Sequence, residues 1–212
     1  MFEALVIALL GAESTGKTTL AAALGDALRE PGRGVAVVPE YLREFCDREG
    51  RTPRADEQRH IADEQTRRID AAARSHAIVV ADTTALMTAV YSDHVFGDTG
   101  LYAPAQAAHA RCGLTLVTAL DLPWQPDGLQ RDGPQVRAPV DTLLRAALAR
   151  ADLPYSVVFG TGAHRLQTAL ASVRRALNPP PQPPLNASAR WHWACERCGD
   201  AACERFSLLP RC

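Results

Sequence analysis

Gly11-Ala12-Glu13-Ser14-Thr15-Gly16-Lys17-Thr18 is the stretch on which the reading of the fold turns. It follows Glu3 to Leu10, a short and almost continuous apolar run of the kind expected of a parallel strand covered on both faces. It opens Thr18 to Arg29, where Leu20, Ala21, Leu24 and Leu28 recur at helical spacing until Pro31-Gly32 stops the helix. A glycine-rich loop ending in Gly-Lys-Thr between a strand and a helix is a P-loop. Its glycines let backbone N–H groups converge on phosphate oxygens, and the helix N-terminus adds positive potential. Lys17 is then placed to reach the β- and γ-phosphates of ATP, and the Thr18 hydroxyl to ligate Mg²⁺. The nucleotide-binding set is Gly11, Ala12, Glu13, Ser14, Thr15, Gly16, Lys17, Thr18 and Thr19. The rival is an ordinary glycine-rich strand-to-helix turn. Against it, 22 of the 23 cationic side chains are arginine, and the single lysine is Lys17. A compact ammonium suits a phosphate bridge in a tight loop better than a planar guanidinium does.

Outward from the loop, the chain alternates strand and helix. Further strands are predicted at Val35 to Val38, at Ala77 to Ala81 ending on Asp82, at Leu114 to Leu120 and at Ser156 to Phe159. Helices are predicted at Tyr41 to Glu49, Ala55 to Ser75, Ala85 to about His94, Val140 to Ala151 and His164 to Leu177. Alternation of this kind argues for an α/β fold with a parallel sheet and helices on both faces. Asp121 to Arg137 is rich in proline, glycine and polar residues and too long for a tight turn, which suggests a functional loop or lid. The organisation expected is a P-loop domain over 1–177, a stiff Pro-rich linker over 178–186 and a small Cys-rich tail over 187–212.

Composition narrows the partners. A net charge of −1, with 47% hydrophobic and 22% charged residues, demands neither nucleic acid nor an acidic lipid surface, so the partner is expected to be a small molecule. No apolar run approaches the roughly 20 residues that span a bilayer, and Glu3 precedes the first strand where a signal peptide would carry basic residues. Four of six cysteines crowd into the last eighteen residues instead of spreading through the chain as a disulfide scaffold would, which favours a cytoplasmic setting. Those four, Cys195, Cys198, Cys203 and Cys212, with His192 as a spare, are enough soft ligands for a structural zinc. Free thiols or a redox pair remain the alternative.

Several other residues are candidates for chemistry. Asp82 ends an apolar strand at the edge where open α/β sheets bind ligands and resembles a Walker B acid, with helix capping as the other reading. Glu40 stands in the same relation to the second strand. The group Glu40, Tyr41, Arg43 and Glu44 brings carboxylates and a guanidinium together, where phosphoryl transfer needs a carboxylate to orient a hydroxyl and take its proton. Arg131 and Arg137 are placed to reach over transferring phosphates. Trp124 either stacks on a ring or anchors its loop, and Gly160-Thr-Gly162 either wraps an adenine or is a neutral loop.

Taken as a set, GAESTGKTTLA, VPEYLREF, ADTTALMTAVYSDHVFGD and LDLPWQPDGLQRDGPQVR resemble the kinase domain of the bifunctional NAD-biosynthesis regulator of the NadR type, the ribosylnicotinamide kinase, and its stand-alone relatives described as AAA-family ATPases. The resemblance covers about Phe2 to Leu177. It implies a P-loop NTPase of the nucleoside- and nucleotide-kinase-like kind, with five parallel strands. The implied reaction is transfer of the ATP γ-phosphate to the 5′-hydroxyl of nicotinamide riboside. Carried across, Gly11 to Thr18 hold ATP and Mg²⁺, and Glu40 and Arg43 lie on the nucleoside side. Asp82 sits near the metal and the acceptor hydroxyl, and Trp124 to Arg137 form the lid. The family's strand order would put the third strand beside the P-loop strand and the second farther out. The pattern departs from the family at Pro39, where an aromatic able to stack on nicotinamide would stand, and in the added tail. A kinase for another nucleoside and a regulatory ATPase or nucleotide switch are the rival readings.

Overall fold

Apolar runs without alternation have to be covered on both faces, and a sheet flanked by helices is what covers them here. The computed structural model describes residues 4–126 and 133–178, within one compact unit that runs to Asn178. Its strands are β1 (Leu5–Leu10), β2 (Val35–Val38), β3 (Ile78–Asp82), β4 (Leu114–Thr118) and β5 (Ser156–Val158). They form one five-stranded sheet in the order β2-β3-β1-β4-β5, every pairing parallel. The described helices are α1 (Lys17–Leu28), α2 (Tyr41–Glu49), α3 (Gln58–Ala73), α4 (Ala85–Phe96), α5 (Tyr102–His109), α6 (Arg137–Arg150) and α7 (Gly162–Leu177). The architecture is the α/β fold with a five-stranded parallel sheet expected from the sequence.

Strand alternation divides the core. Ile7 and Leu9 of β1, Ile78 and Val80 of β3 and Leu116 of β4 pack against Leu20 and Leu24 of α1 and Ala169 and Val173 of α7. On the opposite face, Val79 and Ala81 meet Ile69 of α3. There too, Leu10 and Val117 meet α4, α5 and α6 through Leu86, Val90, Ala105 and Leu144. Each fully buried Leu or Ile contributes about 1.5–3 kcal/mol relative to exposure, so these two faces carry much of the stability. Gly25 stands inside α1 because a Cβ there would lie 2.4 Å from Val37 Cγ2 of β2.

Three segments differ from the sequence expectation by more than two residues. Helix α5 occupies a segment with no clear signal, since Gly97 and Gly100 precede it, Pro104 sits in its first turn and its alanines mark no face. Helix α6 begins at Arg137, after a 3-10 turn at Pro134–Val136, so Arg137 belongs to a helix and not to the polar loop. The long predicted helix at Ala55 divides into a 3-10 turn, Ala55–Glu57, and α3. Arg131, the linker beyond Asn178, and the tail with Cys195, Cys198, Cys203 and Cys212 lie outside the described residues. Among the described residues no helix is long and apolar enough to cross a membrane.

Candidate active site

Parallel pairing brings the C-terminal ends of three strands to one edge of the sheet. Leu9 is in register with Asp82 and Val38 with Ala81, so the loop after β1, Glu40 after β2 and Asp82 on β3 share that edge. This is where an open α/β sheet binds its ligand.

The P-loop is shaped by contacts beneath it. A Cβ on Gly11, whose φ is +148°, would lie 2.1 Å from Thr118 Oγ1 and 3.2 Å from Thr15 Oγ1, so only glycine fits. Thr118 Oγ1 stands 2.7 Å from Thr15 Oγ1, which itself donates to Ala12 O at 2.8 Å. The Thr15 hydroxyl is thus spent inside the loop. Gly16, at φ +75°, caps α1 in the left-handed region. Lys17 Nζ donates to Gly11 O and Ala12 O, both at 2.9 Å, which curls the ammonium over the loop where phosphate oxygens would lie. Thr18 and Thr19 are exposed on the first turn of α1.

Two further sets of bonds hold this loop. Glu13 Oε1 accepts from Trp124 Nε1 at 2.7 Å and from Gly133 N at 3.2 Å, and Gln125 N donates to Ser14 Oγ at 2.7 Å. Trp124 therefore anchors its segment to the P-loop by its indole N–H. On the other side, buried Arg165 of α7 donates from Nη2 to Thr15 O and from Nη1 to Asp121 Oδ1 and Gly160 O, each at 2.8 Å. Gly160 N donates to Asp121 Oδ2 at 2.6 Å. Burial alone would raise the Asp121 carboxyl, but hydrogen bonds from Arg165 and Gly160 bring it below its ordinary 3.8. One guanidinium so joins the P-loop, the end of β4 and the loop before α7. Gly160, at φ +88°, has its conformation set by this clamp, while Gly162, at φ +51°, is the first residue of α7.

Asp82 and Glu40 differ in surroundings. Asp82 is 1% exposed, and neither carboxylate oxygen has a hydrogen-bond partner among the described residues. The capping role belongs instead to Thr84, whose side chain accepts from Leu86 N at 3.3 Å. A buried, unpartnered carboxylate costs several kcal/mol unless a cation or donor joins it, so its position calls for a ligand. Glu40 precedes α2 without capping it, and its Oε2 accepts from Arg43 Nε at 3.3 Å. Burial pushes the Glu40 carboxyl up from its ordinary 4.5; Lys17 opposes that, Asp82 adds to it and Arg43 opposes it. The charges named are those of the proposed site.

A cleft of about 150 Å³ adjoins the loop. Glu13, Ser14, Lys17, Glu40, Arg43 and Thr83 line it with polar groups, and Leu42, Cys46, Pro53, Met87 and Phe96 give it an apolar wall. Asp82 is not among its lining residues. Tyr41, expected on the substrate side, turns into the packing of α2 on α3. It is 4% exposed, its hydroxyl meets His60 Nε2 at 3.1 Å, and the Arg68 guanidinium lies over its ring. Arg137 is buried at the start of α6 and does not line the cleft, with Nε and Nη2 unpartnered among the described residues.

Tyr91 and Met87 are cleft residues that single-motif reading passes over. Tyr91 OH accepts from Glu13 N at 3.1 Å. Their helical spacing with Val95, i, i+4 and i+8, puts all three on one side of α4, and that periodicity was the available signal. Nothing local marks Arg165, since two of its three side-chain partners are 44 and 150 residues away.

The model of the family described as AAA domain matches residues 6–165. Comparison with curated proteins finds no match. Among solved structures, a NadR protein in complex with NAD and AMP-PNP is 22% identical, with a TM-score of 0.67, over 85% of this chain and 51% of that one. A NadR protein in complex with NR is also 22% identical, with a TM-score of 0.68, over 82% and 49%. A thymidylate kinase from Ehrlichia chaffeensis is 13% identical, with a TM-score of 0.57, over 81% and 98%. This chain spans about half the length of the NadR chains, and at such identities the likeness shows the fold alone.

Proposed function

The chain belongs to the AAA domain family, and on that premise we propose that it is an ATP-dependent small-molecule kinase acting on the 5′-hydroxyl of nicotinamide riboside to give nicotinamide mononucleotide. One observation carries the reading: the P-loop lysine and a carboxylate with a raised pKa, Glu40, line a single cleft that also has an apolar wall. A nucleotide switch needs the phosphate site but has no use for an adjoining pocket that could seat a sugar and a ring. The complexes of the NadR structures with AMP-PNP and with NR support the same choice of ligands.

The residues suit the groups they would hold. Asp82, with both oxygens unpartnered among the described residues, and Thr18, exposed at the start of α1, would be the oxygen donors for Mg²⁺, an ion that usually takes one or two protein ligands beside phosphates and water. Bound with ATP, Mg²⁺ supplies neutralisation of charge on the β- and γ-oxygens. Backbone N–H groups of Gly11 to Thr18 bind the phosphates. Lys17 exchanges its two loop carbonyls for phosphate oxygens and stabilises charge as the γ-phosphoryl transfers. Glu40 takes the proton of the acceptor hydroxyl. Its raised pKa makes it a stronger base than an ordinary glutamate, and Arg43 orients it. The resemblance put Asp82 near both the metal and the acceptor hydroxyl and Glu40 on the nucleoside side; the cleft lining favours Glu40 meeting the acceptor hydroxyl, with Asp82 on the metal side.

The test is a panel of nucleosides, nicotinamide riboside included, incubated with ATP and Mg²⁺. Consumption of ATP should match phosphorylated nucleoside one for one. Slow ATP hydrolysis that no acceptor accelerates would favour the switch.

A further inference from the structure

Thr83 sits in the cleft for a reason that the fold does not supply. Its φ is +77°, a region that β-branched residues seldom enter because the side chain crowds the backbone. The turn after β3 accounts for the angle, since Thr83 N donates to Leu9 O at 3.1 Å and the chain must then swing into α4. It does not account for the threonine, because glycine would adopt the same angle without strain. The hydroxyl is equally unexplained. Thr83 is 4% exposed, and its Oγ1 has no hydrogen-bond partner among the described residues. The adjacent Thr84 shows what a structural hydroxyl does here: its Oγ1 caps α4 and meets His109 Nδ1 at 3.0 Å. Thr83 does neither, yet it lines the cleft with Lys17, Glu40 and Arg43.

We propose that Thr83 Oγ1 is a specificity-determining group that hydrogen-bonds a hydroxyl of the phosphoryl acceptor other than the one that reacts. The inference rests on the kinase reading and deepens it to a substrate class, small molecules with neighbouring hydroxyls such as ribosides. A threonine hydroxyl both donates and accepts, Glu40 accepts and Arg43 donates. With Glu40 on the reacting hydroxyl, Thr83 and Arg43 match a pair of non-reacting hydroxyls on adjacent carbons, each of which also donates and accepts. Binding would satisfy the orphaned oxygen, which repays the strained backbone only when the acceptor is present.

The experiment uses the full chain and the ribosides of the nucleoside panel, with initial rates measured for the unmodified protein and for Thr83→Val, Thr83→Ser and Thr83→Gly. Thr83→Val keeps the shape and deletes the hydroxyl, so the KM for the riboside should rise about tenfold or more. The KM for ATP should stay within about twofold. Thr83→Ser should restore the riboside KM to within about threefold. Thr83→Gly accepts the positive φ, so it carries the same test should the valine variant fail to fold, and it should melt higher than Thr83→Val while sharing its weak riboside binding. Riboside KM values unchanged in Thr83→Val and Thr83→Gly would overturn the inference while leaving the kinase standing, as would a rise confined to ATP. No riboside phosphorylated by the unmodified protein would overturn both.

Discussion

Acidification from pH 7.5 to 4.5 should destabilise the protein through His109, a residue of α5 that is 2% exposed. Its Nδ1 lies 3.0 Å from Thr84 Oγ1 and its Nε2 2.9 Å from Thr115 Oγ1, which ties α5 to β4 and to the turn that carries Asp82 and Thr83. Burial lowers its pKa from the ordinary 6.5 to about 4, because the charged ring would be cut off from water. Stability from the neutral ring is complete above pH 6.5 and is lost as pH falls, since the unfolded chain takes up a proton that the folded chain refuses until pH nears 4. At about 1.4 kcal/mol per pH unit, the loss by pH 4.5 is about 2.5 kcal/mol. In a chain of this size that lowers the melting temperature by about 5–10 °C. Glu57 and Glu64, each held at about 2 by arginine hydrogen bonds, lose their contributions mainly below their ordinary 4.5, outside this window. Glu40, with its raised pKa, acts with the opposite sign. The assay is melting temperature against pH for the unmodified protein and for His109→Gln, whose amide keeps polar atoms at the site without titrating. The variant should start lower and fall less steeply between pH 6.5 and 4.5. Parallel curves would refute the reasoning.

Lys17→Ala should lower phosphoryl transfer by about 10²-fold or more with an unchanged far-ultraviolet spectrum, since the side chain is bonded to loop carbonyls and belongs to no core cluster. Near-normal turnover would remove the P-loop assignment. Glu40→Gln should cut kcat at saturating acceptor while sparing the KM for ATP, whereas Asp82→Asn should raise the Mg²⁺ concentration needed for half-maximal rate. An Mg²⁺ requirement that moves in Glu40→Gln and not in Asp82→Asn would reverse the two roles. Gly11→Ala drives a methyl against Thr118 Oγ1 in a left-handed conformation and should cost roughly 2–5 kcal/mol in urea unfolding. A cost under about 0.5 kcal/mol would show that the cradle gives way.

Much of the fold was legible because its signals are local. Val35 to Val38 and Tyr41 to Glu49 are bounded in the structure as periodicity and breakers bound them in the sequence. Helix α5 escaped because a short alanine-rich helix held between α4 and α6 shows no stripe of its own and draws its helicity from packing. Arg137 was displaced for a related reason: Pro134 and the polar residues around it suggest a loop, yet proline is welcome at the first position of a helical turn.

The sequence by itself determined that Gly11 to Thr18 form a glycine-rich loop between a strand and a helix, because a P-loop is made from consecutive residues, and that Asp82 and Glu40 follow strands at one edge of the sheet. Only the tertiary structure decided which of those carboxylates opens to the cleft, that Tyr41 turns away into the helix packing, and that Trp124 is an anchor on Glu13. It alone revealed the Arg165 clamp and the unsatisfied Thr83 hydroxyl. The physical reason is one of range. Strand, loop and helix are dictated by neighbours a few residues apart. Burial and hydrogen-bond satisfaction are settled by partners as distant as Arg165 is from Thr15, which strand pairing brings together only after the sheet has formed.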